Sequence, residues 1–228
     1  MSTSGDDPRS WVLYVVVVAL TALMAAPRHG RHAANGWWWP PPVAAIALWL
    51  LIAVPSVIRL IEPSMEMVFR RDPIRTRDGE WWRVFTSALT QDGVAGTVGN
   101  LVMFAIVAIA VVRVWGWQRA VALCVVGQLL WGLFTSFVSP SVGSGVSGAT
   151  FVMAASLAGL WPVVAARHAL LLASAGTFVA GVLLVLFDDA HGVAVLIGML
   201  LGAVLGIVLP PPRQITASHP GVHGHLRS

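Results

Sequence analysis

The chain has 228 residues, of which 57% are hydrophobic and 11% charged, with a mean hydropathy of +0.80. A globular domain carries roughly 25% charged residues, so this balance excludes an ordinary soluble fold and points to an all-α polytopic membrane protein. The formal charge of +4 rests on 14 basic residues, all arginine, which are scattered between apolar segments rather than gathered on one face; that fits membrane topology, with the lipid bilayer as partner and no nucleic acid.

A helix crossing a hydrocarbon core needs roughly 20 mostly apolar residues. The spacing predicts about seven such segments, at 11–26, 43–61, 95–112, 120–138, 146–166, 169–187 and 191–209. The first resembles a signal-peptide core in length and in the small residues Ala25 and Ala26. Asp6 and Asp7 outweigh Arg9 before it, however, and Pro27 follows the natural cut, so an uncleaved anchor is the preferred reading. Residues 1–42 then form an N-terminal segment with one extra transmembrane helix and a loop, in which Trp37, Trp38 and Trp39 before Pro40–Pro42 read as an interfacial anchor. The core runs over 43–209. The tail, 210–228, is expected to be disordered, and its His219, His223 and His225 lack the carboxylate or cysteine framework of a metal site. No metal or other cofactor is expected. The lone Cys124 reads as a packing residue.

Arginine placement predicts the orientation, because short cytoplasmic loops retain basic residues. Arg28 and Arg31, Arg113 and Arg119, Arg167, and Arg213 and Arg227 fall on one side if every segment spans. That side is expected to be cytoplasmic in the cell membrane. The loop 62–94, the Ser/Gly-rich loop from Ser139 to Ser144 and the Asp188–Asp189 turn then face outside. The loop 62–94 carries five further arginines, which argues the other way, but Glu62, Glu66, Asp72, Asp78 and Glu80 offset them.

Polar side chains inside such segments are costly and mark functional candidates. Asn100, Gln128, Ser147 and His191 stand out. Gln128 reads as a helix-packing contact. Ser147, in Gly145-Val146-Ser147-Gly148, sits where a loop turns into a helix, next to unpaired N–H groups and the positive end of the helix dipole, a setting that stabilises an oxyanion. Ala149 after Gly148 excludes the Gly-x-Ser-x-Gly elbow of soluble hydrolases. His191 opens the last segment, parallel to the one that Ser147 opens, so the two share a depth near the outer face. Behind it Ala194, Gly198, Gly202 and Gly206 form a small-residue ridge suited to close helix packing. Asp188 and Asp189 are candidates for a third triad member, but their position in the outer turn predicts solvated side chains.

Glu80-Trp81-Trp82-Arg83, Asn100, Gly145-Val146-Ser147-Gly148, and Ala190-His191 with Gly198 occur in an order that resembles the rhomboid intramembrane serine proteases. The resemblance covers about 43–209 and implies a six-helix core preceded by the extra helix. It implies Ser147 as nucleophile, His191 as general base and Asn100 as an oxyanion donor. Trp82 and Arg83 match the family's structural Trp-Arg pair, and Phe151 the aromatic that packs on the histidine. The implied activity is hydrolysis of a peptide bond in or beside the transmembrane segment of another protein. The chain departs from the pattern at Gly96, where the family carries a histidine four residues before the asparagine, and at Gln91, where another histidine is frequent. A missing oxyanion donor costs about 10²–10³ in kcat, so the alternative is a proteolytically inactive relative that binds transmembrane helices.

Overall fold

The computed structural model describes residues 8–26, 37–164 and 167–211; Arg28, Arg31 and the histidine-bearing tail lie outside them. Ten α-helices occur among these residues. Helix α1 is Pro8–Ala25 and α2 is Val43–Ile61. The loop that follows folds into the short helices α3 (Ser64–Phe69), α4 (Pro73–Arg77) and α5 (Arg83–Thr86) and a 3₁₀ turn, Ser87–Leu89. The remaining long helices are α6 (Gly93–Trp115), α7 (Trp117–Leu133, continued by a π turn to Val138), α8 (Ser147–Val163), α9 (His168–Leu186) and α10 (His191–Val208).

Six helical stretches are long and apolar enough to cross a membrane: α1, α2, α6, α7 with its π turn, α9 and α10. The seventh expected segment is α8, and at 17 residues it is the short one. At 1.5 Å per residue it reaches about 25 Å, less than a hydrocarbon core of about 30 Å. Position explains how this is tolerated. From Gly148 to Trp161 every residue of α8 is buried, so it is the central post of the bundle and meets helices rather than lipid on all sides.

The closest packing is between α8 and α10. A methyl group at Gly198 would overlap the Val152 carbonyl, one at Gly202 the Ser156 carbonyl, and one at Gly159 the Met199 carbonyl. Only glycine lets the two backbones touch in this way, which is the role predicted for the ridge at Gly198 and Gly202. Ser147 is the first residue of α8 and His191 the first of α10. Backbone-to-backbone contact along these helices therefore fixes the relative height of the two side chains.

The loop between α2 and α6 is clamped to the bundle by its own polar groups. Arg83 is 3% exposed and its guanidinium binds Glu80 Oε2 at 2.5 Å and the carbonyls of Met67 and Arg70 at 3.0 and 2.9 Å. Trp82 beside it is half exposed. Gln128 on α7 donates to the Val84 carbonyl at 2.9 Å and to Ser87 Oγ at 3.3 Å, so the packing role read for it is one of holding the loop. Arg71 exchanges backbone hydrogen bonds with Gly143, tying this loop to the one that leads into Ser147. At the other end of the bundle Arg113 lies over the Trp37 ring at 5.7 Å and donates to the Pro40 carbonyl at 2.6 Å.

Helix α1 buries one face, Tyr14, Val17, Val18, Thr21, Met24 and Ala25, at three- and four-residue spacing. That face packs on α6, α8 and α9. The extra helix is thus built into the bundle rather than loosely tethered to it.

Candidate active site

Ser147 Oγ and His191 Nε2 are 2.9 Å apart. The two residues that share a predicted depth are therefore within hydrogen-bond reach. Both stand on the first turns of helices held by the glycine contacts above.

The rest of the Gly145-Val146-Ser147-Gly148 turn is shaped by what it must avoid. A Cβ at Gly145 would lie 3.1 Å from Asn100 Nδ2, 3.4 Å from Gln91 Oε1 and 3.5 Å from Ser147 Oγ. Asn100 therefore approaches the serine from α6, and a side chain at Gly145 would fill the space between them. A methyl at Gly148 would run into the Trp131 ring. Trp131 in turn stacks on the His191 ring, centroids 4.9 Å apart at 24°. Phe151 meets the same ring edge-on at 5.4 Å, so its expected packing is present, while the stacked partner is Trp131.

Gln91 is fully buried. Its Oε1 accepts from Asn100 Nδ2 at 2.7 Å and from the Val146 backbone N–H at 3.1 Å, and its Nε2 donates to the Ala88 carbonyl and to Ser56 Oγ. An amide group has two N–H donors. Gln91 engages one of those on Asn100. At Gly96, one turn before Asn100, an added Cβ would meet nothing within 4 Å. The glycine there is not demanded by a neighbouring helix.

The reading of both aspartates as solvated holds for Asp188 and fails for Asp189. Asp188 is exposed, with φ of 56°. Its N–H donates to the Val185 carbonyl and that of Asp189 to the Leu184 carbonyl, the paired bonds of a Schellman turn with a left-handed residue at its centre. This tight reversal folds Asp189 inwards. Asp189 is 2% exposed, and its Oδ1 accepts from the His191 backbone N–H at 3.0 Å and lies 2.7 Å from His191 Nδ1. Burial pushes the Asp189 carboxyl up, but the hydrogen bond from His191, the charge of that ring and a hydrogen bond from Tyr14 outweigh it and hold the carboxyl below its ordinary value.

Three further residues at the site went unread in the sequence. Tyr14 of α1 reaches Asp189 Oδ2 at 2.5 Å and His191 Nδ1 at 2.8 Å. Trp131 is the stacking partner just described. Arg71 lies over the far Trp131 ring at 5.7 Å and is anchored to the Ser141 carbonyl and hydroxyl. Burial lowers the Arg71 guanidinium to about 10, with Asp92 pulling the other way, so it remains a cation at neutral pH. Tyr14 carried a signal, since a hydroxyl in an apolar helix meets the criterion that singled out Asn100 and Ser147. Trp131 carried none.

No curated protein matches the chain. A Rhomboid domain matches residues 78–212, a stretch that begins in the loop before α5, takes in Asn100, Ser147, Asp189 and His191, and ends beyond α10. Because that match covers more than half of this all-α, multi-pass membrane chain, the protein belongs to the rhomboid family.

Proposed function

We propose that the protein is an intramembrane serine endopeptidase that cleaves the transmembrane segments of other membrane proteins at Ser147. The observation that carries this reading is the 2.9 Å contact between Ser147 Oγ and His191 Nε2, with a buried carboxylate on the far ring nitrogen. A pure helix-binding relative has no use for a serine hydroxyl paired with an imidazole whose other face is already oriented. His191 Nε2 takes the Ser147 proton as Oγ attacks the scissile carbonyl, and the second N–H of Asn100 and the Ser147 backbone N–H are the donors available to the developing oxyanion. The imidazolium then passes its proton to the leaving amine. Water clears the acyl-enzyme by the same two proton transfers in reverse order. The site is assigned to the extracytoplasmic end of the bundle, whose shallow depth would let water reach it, and the core of the enzyme is taken as 43–209.

A serine-directed fluorophosphonate probe tests the assignment on the full chain in detergent. The wild-type protein should be labelled and Ser147→Ala should not. His191→Ala should lose labelling to about the same extent, and the double variant should be no worse, since groups that act as a unit are not additive. Labelling that survives Ser147→Ala would remove that serine from the chemistry.

A further inference from the structure

The hydroxyl of Tyr14 is, with the buried hydroxyl of Ser10, one of two polar groups that α1 brings to the site, and it comes from the helix that precedes the matched domain. It is the one tyrosine of the chain, 4% exposed, with its ring against Phe151 at 4.9 Å and His191 at 5.0 Å. A buried tyrosine hydroxyl needs a partner, and this one has two within reach, Asp189 Oδ2 and His191 Nδ1. Which of them receives its proton decides what the site can do. If the hydroxyl donated to Nδ1, the neutral ring would carry its proton on Nε2 and could not accept one from Ser147. A carboxylate is the stronger acceptor, and the 2.5 Å separation from Asp189 is that of an O–H···O⁻ bond. The Tyr14 proton therefore goes to Oδ2. Oδ1 is left to take the Nδ1–H, and the tyrosine oxygen, which faces the same hydrogen, can only reinforce it.

We propose that Tyr14 is a positioning residue of the active site: its hydroxyl donates to Asp189 Oδ2, holds Asp189 Oδ1 on the Nδ1–H of His191, and so keeps Nε2 bare towards Ser147. This rests on the reading of Ser147 and His191 as nucleophile and base. It makes the N-terminal helix a working part of the enzyme. Asp189 is otherwise tethered by the His191 backbone N–H through Oδ1, and removing the tyrosine hydroxyl takes away the 2.5 Å partner of its outer oxygen.

The test is the rate of fluorophosphonate labelling of the full chain, separated into probe affinity and maximal rate. In that reaction the Oγ–P bond forms, fluoride leaves and the serine proton passes to Nε2, so the rate reports the base directly. Tyr14→Phe keeps the ring and its aromatic contacts. It should lower the maximal rate about tenfold at unchanged probe affinity. Asp189→Asn replaces the acceptor by an amide that can donate to Nδ1 and place the ring proton on Nε2. It should cost on the order of 10²–10⁴-fold. The variant carrying both changes should be no slower than Asp189→Asn, because the tyrosine acts through the aspartate. Tyr14→Phe labelling at the wild-type rate overturns the proposal. So does a double variant slower than Asp189→Asn by the full Tyr14→Phe factor, which would mean that Tyr14 acts elsewhere. Both results leave the protease reading intact. Failure of that reading shows differently, as a wild-type protein that is not labelled or a Ser147→Ala variant that is.

Discussion

Asn100 is held by one of its own amide hydrogens, and this bears on the residue at which the chain leaves its family's pattern. With Gln91 fixing the amide, one Asn100 N–H and the Ser147 backbone N–H would be the donors to the oxyanion of the proposed reaction. Position 96 lies four residues before Asn100 on α6, so a side chain there points to the same side. The open space beyond it decides between two meanings of the glycine. Were Gly96 a packing residue, a larger side chain would overpack the bundle at about 1–3 kcal/mol; with nothing within 4 Å of an added Cβ, the helix face at that position is open to the first atom of a side chain. Gly96→His should therefore raise kcat about tenfold or more with little change in KM, since the added donor acts mainly in the transition state. Its melting temperature should not fall, because replacing a helical glycine is worth about 0.5–1 kcal/mol. Turnover and thermal unfolding measured on one preparation check both, and a destabilised variant without a gain in turnover would refute the argument. Ser147, His191 and Asn100 were legible in the sequence because each is a polar group in an apolar stretch. Asp189 was not. Its inward turn depends on a left-handed aspartate at position 188, where the usual signal would be glycine, and on a tyrosine 175 residues away.

Helices α8 and α10 show what an element contributes that no single residue can. The ridge at Gly198 and Gly202 was readable from its four-residue period, but its partner face was not, since Ala154, Ala155, Ser156, Ala158 and Gly159 spread small residues around the facing helix and single out no one side. The contact is backbone on backbone, so no rotamer change can relieve an added methyl. Gly202→Ala must push the helices apart. It should destabilise the protein by about 1–3 kcal/mol and slow labelling at Ser147 even though the change lies three turns from the site. Gly96→Ala, a chemically identical change on an open helix face, is the control and should do neither. Equal melting temperatures for the two alanine variants would show that the α8–α10 contact is not what holds the dyad in register. The short span of α8 has the same origin, as a helix surrounded by others need not match the lipid, whereas length in the sequence was judged against the bilayer alone.

At the scale of the whole molecule, α8 divides the bundle into two ends. One end holds Ser147, the folded loop between α2 and α6, and the segment 139–146 that leads into the serine. The other holds Arg113, Arg119 and Arg167, with Arg113 in contact with Trp37 and Pro40. Short loops rich in arginine stay in the cytoplasm, so the second end is predicted to lie inside and the serine end outside. The arginines of the loop between α2 and α6 are a weaker guide. That loop is long and folded, with Arg71 and Arg83 buried in it. Positions at the two ends of α8 give a direct reading: Val142, exposed in the loop before it, and His168, exposed at the start of α9. In a background where Cys124 is replaced by alanine, Val142→Cys should react with an impermeant maleimide on intact cells, and His168→Cys only after the membrane is permeabilised. The reverse pattern would place Ser147 on the cytoplasmic side. The contacts among Ser147, His191, Asp189 and Tyr14 would be unaltered by that result, but substrates would have to present their cleavage site from within the cell.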